Sequence, residues 1–194
     1  MAAAFVADTQ PAWCARLLAE FTDSDARADA LARTLTREQL NWTPVPGAWS
    51  IGQCLEHLAV GNEIYVDALE AALTRNLNTG PVPEITPGWF GRWFIRAYIE
   101  PSSRTKRGTA PKTTRPTARI EPDVLARFLR SNERTRAIAR RASDYDVNRV
   151  RFRNPFVPVI RFTVGTGLEI LSKHERRHLL QAERVRNAPG FPAT

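Results

Sequence analysis

The sequence predicts an all-α fold, in which four long helices form an antiparallel bundle with one long connection. Apolar residues recur at helical spacing in four segments, and neither an internal repeat nor a tract of strands interrupts them. The chain has 194 residues, of which 43% are hydrophobic and 25% are charged. These values are typical of one globular domain, so we expect residues 1–194 to fold as a single unit.

The first two predicted helices are separated by a turn rich in proline and glycine, residues 41–49. The first helix covers about residues 11–35, where a proline suits the first turn and a helical apolar stripe follows. The second covers about residues 50–78 and shows the clearest periodicity. Ser50 is a typical N-cap for it, and Gln53 occupies the capping-box position.

A long insertion, about residues 79–121, separates predicted helices two and three. Its prolines cannot lie inside a regular helix, so most of it is expected to be irregular. The aromatic segment 89–99 predicts one short helix, and residues 102–119 predict a loop with six basic and no acidic residues. A loop of this length in a compact domain is often functional.

Two interpretations of the insertion are open. In one, its cations form a rim that attracts an acidic substrate to the mouth of the bundle, while Trp89, Trp93 and Phe94 cover an apolar pocket. In the other, which we favour, the aromatic residues pack the insertion onto the bundle or onto a dimer partner, and the charges are solvated. The cations of the proposed rim are Arg92, Arg96, Arg104, Lys106, Arg107, Lys112 and Arg115.

The second half of the chain predicts two more helices and a connector between them. The third helix covers about residues 122–142, and its polar face carries several arginines. The fourth covers about residues 165–187 and ends before a Pro-Gly stop signal. Residues 147–164 are rich in β-branched and aromatic types, but Pro155 and Pro158 favour an extended connector or lid over a sheet strand.

The composition argues against membrane-spanning, secreted and nucleic-acid-binding proteins. No stretch approaches the roughly 18 unbroken apolar residues of a membrane helix, and no secretory signal is visible, so we expect a cytoplasmic protein. Cys14 and Cys54 fit no metal-binding spacing and are expected to be reduced packing residues. The net charge is +8, but 25 arginines against 3 lysines indicate codon bias as readily as guanidinium chemistry, so nucleic acid is not the expected partner.

The chain has three histidines, and two of them lie one turn apart on the fourth predicted helix. His174 and His178 differ by four positions, which is about 40° around a helix, so their rings project from one face. Leu171 and Val185 share that face, which therefore points into the core. His57 lies near the inward arc of the second helix and could face the pair across the bundle.

Buried imidazoles need partners, because burial of an unpaired polar group costs free energy. One divalent cation would satisfy His57, His174 and His178 together, and three neutral imidazoles with open positions are typical of catalytic zinc. The alternative is that the three histidines are hydrogen-bonded core residues. Residues 174–178 also match the H-E-x-x-H pattern of zinc proteases, but the downstream third ligand of that pattern would have to lie within the last 16 residues.

Two short motifs carry a resemblance to a known family. The segment 49–58, WSIGQCLEHL, follows a Pro-Gly-Ala turn, and the segment 174–178, HERRH, lies on the fourth helix. In this element order they resemble the DinB-like (DinB/YfiT) superfamily of metalloenzymes. The resemblance implies a four-helix bundle of that type, often dimeric. It also implies that His57, His174 and His178 are ligands of zinc or nickel, with iron or manganese as further possibilities.

The resemblance implies an activity as well. Relatives include transferases and isomerases that use low-molecular-weight thiols such as bacillithiol or mycothiol, with a metal expected to activate the thiolate. We therefore expect a metal-dependent enzyme acting on a small molecule, in the first place a thiol-dependent S-transferase, with Gln181 or Glu175 orienting a metal ligand. The alternatives are a metal-dependent hydrolase and a non-catalytic binding module for acidic partners that uses the basic face of the third helix. The arginines of that face are Arg127, Arg130, Arg134, Arg140 and Arg141.

Overall fold

The computed structural model describes residues 10–77, 80–100 and 110–193, and these residues are mostly helical. The long helices are α1 (Ala12–Ala32), α3 (Ile51–Arg75), α5 (Val124–Ala142) and α6 (Val164–Arg186). The shorter elements are α2 (Arg37–Asn41), α4 (Trp89–Phe94), a π-helical turn (Ile95–Ile99), a 3-10 turn (Lys112–Thr114) and the strands β1 (Arg151–Arg153) and β2 (Arg161–Thr163). The predicted all-α class is confirmed, apart from this small sheet. Among the three described ranges, no helix has the length and apolar character needed to cross a membrane.

The four long helices pack against one another around a common core. Helix α3 packs against α5 and α6, and α1 packs against the same two helices. Because α1 and α3 touch each other only slightly, they lie on opposite sides of this group. Two clusters of buried side chains fill its interior, one around Phe21 and Leu69 and the other around Leu58 and Phe128. Burial of this apolar surface is the main force that holds the helices together.

Capping boxes mark the start of two helices. At α3, the Ser50 hydroxyl accepts a hydrogen bond of 3.1 Å from the backbone N–H of Gln53, whose side chain accepts one of 3.0 Å from the Ser50 N–H. This confirms the predicted start of the second long helix. Thr36 and Gln39 form the same box at α2. The sequence prediction does not include α2, although Thr-x-x-Gln is the same signal.

The interpretation of residues 147–164 as an extended connector without strands is wrong. Strands β1 and β2 form an antiparallel pair in which Phe152 lies opposite Phe162. Pro155 and Pro158 lie in the loop between the strands, where the ladder does not need their missing N–H groups. Both phenylalanine side chains are buried in the same cluster as Leu69, so packing against the helices stabilises the hairpin.

The short aromatic helix that the sequence predicts over residues 89–99 is present as α4, which continues directly into the π-helical turn. Phe94 packs against Phe162 with ring centroids 5.1 Å apart. Trp89 and Trp93 are 75% and 43% exposed, which does not support the less favoured interpretation that they cover an apolar pocket. Of the predicted cationic rim, Arg92, Arg96, Lys112 and Arg115 are exposed, and Arg104, Lys106 and Arg107 lie outside the described residues.

The arginine-rich face of α5 is largely paired with carboxylates. Arg127 donates two hydrogen bonds of 3.0 and 2.8 Å to Glu63 of α3. Arg134 donates one of 2.7 Å to Asp67, also on α3. The further pairs are Arg141 with Glu70 and Arg140 with Glu133. Each exposed pair adds little stability, but together they neutralise most of the positive charge on this face.

Substitution of two helical glycines by alanine is expected to change the stability in opposite directions. A Cβ on Gly167 of α6 would come within 2.8 Å of the Phe152 ring and 3.0 Å of Leu69, whereas a Cβ on Gly61 of α3 would meet the His174 ring at 3.8 Å. We expect Gly167→Ala to lower the free energy of unfolding by about 1–3 kcal/mol through overpacking. Gly61→Ala should leave it unchanged or raise it by up to about 1 kcal/mol, because alanine favours helix. Urea unfolding measures both, and a Gly167→Ala variant as stable as the wild type would contradict the close packing of α6 on β1.

Candidate metal centre

All three histidines of the chain lie together between α3 and α6. His57 comes from α3, and His174 and His178 come from one face of α6. One ring nitrogen of each lies within 4.8 Å of those of the other two. The Nε2 atoms of His57 and His174 are 3.1 Å apart, and the ring centroid of His178 lies 4.6 Å from each of the other centroids. The structure thus brings together the three residues that the sequence singles out as candidate ligands.

The local sequence explains this placement. The Ser50 cap sets the start of α3, and His57 follows about two turns later on the buried side of the helix. One turn further on, Gly61 faces the ring of His174, and a Cβ at this position would lie 3.8 Å from it, at ordinary van der Waals distance. On α6, the four-residue spacing puts His178 beside His174 on the same face.

Hydrogen bonds orient two of the three rings. Nδ1 of His57 is 2.7 Å from the carbonyl oxygen of Thr114 and donates its proton to that oxygen. Nδ1 of His178 is 3.1 Å from Oε1 of Gln181 and donates in the same way. Each ring therefore keeps an unprotonated Nε2 for a further partner. Sequence analysis singled out Gln181 but missed Thr114, because a backbone carbonyl leaves no signal in the residue types.

Burial keeps the three imidazoles neutral. It lowers the pKa of His178 to about 3, and it lowers the pKa of His174 well below its ordinary value. Burial also lowers the pKa of His57, although the hydrogen bond to Thr114 opposes this shift. The positive charge of Arg177 lowers the pKa of each of the three rings further. Neutral imidazole is the form that binds a metal ion.

An indole and a guanidinium lie beside the three rings. Trp49 stacks on His178, with ring centroids 5.6 Å apart and planes 26° from parallel, and its centroid lies 4.8 Å from that of His57. Arg177 is half-buried and donates a hydrogen bond to the carbonyl oxygen of Tyr98 in the π-helical turn. Of the three histidines, His174 is the partly exposed one, and the other two are buried.

Glu175, the second candidate orienting residue, faces a different part of the core. It is fully buried, and its Oε1 accepts a hydrogen bond of 2.8 Å from the side chain of Asn62. Among the described residues, no hydrogen bond joins its carboxyl group to a histidine. Consecutive helical residues point about 100° apart, which turns Glu175 away from His174. Burial raises its pKa to about 8, so it is mostly protonated at neutral pH and does not suit the general-base role of the H-E-x-x-H pattern.

The three nitrogen donors fit a metal ion. Two nitrogen ligands of tetrahedral zinc, each roughly 2.0–2.1 Å from the ion, lie roughly 3.3–3.4 Å apart. The Nε2 atoms of His57 and His174 are 3.1 Å apart, near this spacing, whereas the three donors together lie within 4.8 Å of one another, so the rings would move closer to share one ion. Imidazole donors suit zinc, nickel and iron. Within the described ranges no cysteine or carboxylate belongs to the group, so an ion there would keep positions for water or substrate.

The lowered histidine pKa values predict that the metal-free protein loses stability in mild acid. Below the ordinary histidine pKa of 6.5, the unfolded chain binds more protons than the folded chain, so the free energy of unfolding decreases as the pH falls toward the folded pKa, about 3 for His178. Each neutral buried histidine adds a slope of up to about 1.4 kcal/mol per pH unit. We expect His178→Gln to reduce the slope below about pH 6 in urea unfolding of chelator-treated protein. An unchanged slope would contradict a neutral, buried His178.

Comparison with known protein families gives a match that covers both histidine motifs. A family model described as the DinB superfamily matches residues 20–182, a range that includes His57, His174 and His178. No curated protein and no solved structure shows significant similarity to the chain. Because the family match extends over most of the sequence, the chain belongs to the DinB superfamily.

Proposed function

We propose that the protein is a metal-dependent enzyme in which His57, His174 and His178 hold one divalent cation. The observation that carries this proposal is the convergence of all three histidines of the chain, with their ring nitrogens within 4.8 Å of one another. Three neutral donors without a fourth protein ligand are typical of catalytic rather than structural zinc sites. Zinc or nickel is the proposed ion, and iron or manganese is the alternative.

Neighbouring groups hold the histidines in the form that such a site needs. The carbonyl of Thr114 and the side chain of Gln181 accept the Nδ1 protons of His57 and His178, which directs both Nε2 atoms to the shared space. Trp49 covers the rings of His57 and His178 and limits the access of water from that side. We assign Gln181 as a positioning residue and assign no role in the reaction to Glu175.

A divalent cation at this site would lower the pKa of a thiol or water ligand and so supply a nucleophile near neutral pH. Among the described residues, the ring and hydrogen-bond partners of the histidines are Trp49, Thr114 and Gln181, and none of these is a carboxylate that could act as a general base. Hydrolysis by water benefits from such a base, whereas a thiol needs only to lose its one proton before it attacks. This difference, together with the family resemblance, favours a thiol-dependent S-transferase, and a metal-dependent hydrolase is the alternative.

A non-catalytic binding module for acidic partners is the third candidate, and the ion pairs weigh against it. Four of the five arginines on the candidate face of α5 have a carboxylate within 4.0 Å. A face whose charges are already paired attracts nucleic acid or an acidic protein only weakly. The enzyme proposal needs none of these arginines.

The proposal also covers the fold, the oligomeric state and the location of the protein. The proposed fold is an antiparallel four-helix bundle of DinB/YfiT type formed by one domain, residues 1–194, and the packing of α1 and α3 against both α5 and α6 supports it. We propose that the protein is a homodimer in the cytoplasm. Cys14 and Cys54 are free and buried, which is compatible with a reducing compartment.

Metal content tests the site directly. In untagged protein we expect near-stoichiometric divalent metal by elemental analysis, and we expect His57→Ala, His174→Ala and His178→Ala each to lose most of it. Gln181→Ala should weaken metal binding by roughly 10–100-fold, since it releases the orientation of one ring. Arg176→Ala, on the exposed side of α6, is the control and should keep the ion. Full metal occupancy in the histidine variants, or no metal in the wild type after reconstitution, would contradict the proposed metal site. The three histidines would then be core residues that hydrogen-bond to one another.

The reaction class is tested with two substrates on zinc-loaded and nickel-loaded protein. We expect faster transfer of bacillithiol or mycothiol to monochlorobimane than in solution, where the sulfur forms the new bond and chloride leaves. The rate should fall to the background in His178→Ala and persist in Arg176→Ala. Cleavage of nitrophenyl acetate without a thiol, combined with no acceleration of thiol transfer, would favour the hydrolase instead.

A further inference from the structure

Arg177 is a partly buried cation without an acidic partner. Its guanidinium donates to the Tyr98 carbonyl, and in the described part of the chain it forms no ion pair. Burial lowers its pKa, and no carboxylate opposes that shift. The segment 101–109, which follows Tyr98 closely in sequence, contains no aspartate or glutamate. Among the residues that the structure describes, this charge therefore has no counterion.

Two other partly buried cations of this protein do have counterions. Arg27 binds Glu183 through hydrogen bonds of 2.9 and 2.6 Å, and Arg136 pairs with Asp25. A guanidinium has five N–H donors, and a single carbonyl bond leaves most of those of Arg177 free. Partial burial of an unpaired charge costs free energy, so a site with this composition is stabilised when an anion enters it.

The position of Arg177 puts this charge at the histidine group. It lies three residues after His174 and directly before His178 on α6, so it shares the side of the helix that carries His174. Neutral imidazoles would not offset the charge of a bound cation. A guanidinium and a divalent ion would then create a strongly positive space that attracts anions.

We propose that Arg177 binds the carboxylate of the substrate, so that this site acts on small organic acids. The inference rests on the proposed function and adds the chemical class of its substrate. The planar guanidinium fork matches a carboxylate, and contact with both the fork and the metal position would fix the reacting atom a few bonds from the acid group. The exposed cations of the insertion, such as Arg92 and Arg96, are not needed for this recognition.

Two thiol probes that differ in one charge test the assignment. Mercaptoacetate carries a carboxylate where mercaptoacetamide carries a neutral amide, and both are titrated into zinc-loaded protein by calorimetry. We expect wild type to bind the acid at least roughly tenfold more tightly than the amide, as a charge-assisted hydrogen bond predicts. Arg177→Gln should lose most of this preference, and Arg177→Lys should keep part of it. Arg176→Gln, the exposed neighbour, should keep all of it.

Other outcomes separate this inference from the proposed function. If Arg177 only anchors the π-helical turn through Tyr98, Arg177→Gln will lower the Tm and weaken both probes equally, and the unchanged preference overturns the assignment. If zinc or thiols do not bind, the proposed function fails. The carboxylate site is then tested separately by comparing the binding of propionate and propionamide to the same proteins with ligand-observed NMR. A preference for propionate that depends on Arg177 then supports the carboxylate site. Equal binding of both probes by wild type overturns it.

Discussion

The close approach of α3 and α6 is the constraint on which the rest of the structure depends. The two helices present histidines that are 117 positions apart in sequence, and the Nε2 atoms of His57 and His174 come within 3.1 Å. A small residue on α6 favours this approach, because a Cβ on Gly167 would come within 3.0 Å of Leu69 on α3 and within 2.8 Å of the Phe152 ring. The histidine group therefore exists only when the packing around it is complete.

The interior of the protein contains two buried polar groups that are bonded differently. Around Glu175, the side chain of Asn62 donates a hydrogen bond to Oε1 from within the core, and burial favours the uncharged acid. Around the histidines, acceptors among the described residues bind the Nδ1 sides of His57 and His178. The Nε2 atoms of His57 and His174 lie 3.1 Å apart, and an external electron-pair acceptor such as a metal ion would satisfy them together.

The insertion contributes to the histidine group through its backbone. Thr114, in the 3-10 turn, accepts the Nδ1 proton of His57, and Tyr98, in the π-helical turn, accepts a hydrogen bond from Arg177. Irregular segments can offer carbonyl groups in this way because no helix or strand partner uses them. The insertion is thus hydrogen-bonded to the candidate site through one residue before and one residue after the segment 101–109. Its backbone therefore contributes directly to the site.

The sequence by itself determined the helical class, the start of α3, the pairing of His174 with His178 on one face, and the family. All of these depend on periodicity, capping signals and residue type, which are local properties of the chain. Only the tertiary structure decided that Thr114 orients His57, that Glu175 turns to Asn62, that three arginines of α5 are paired with α3, and that β1 and β2 form a hairpin. Each of these depends on contacts between residues far apart in sequence or on backbone groups that every residue carries, so residue types alone cannot specify them.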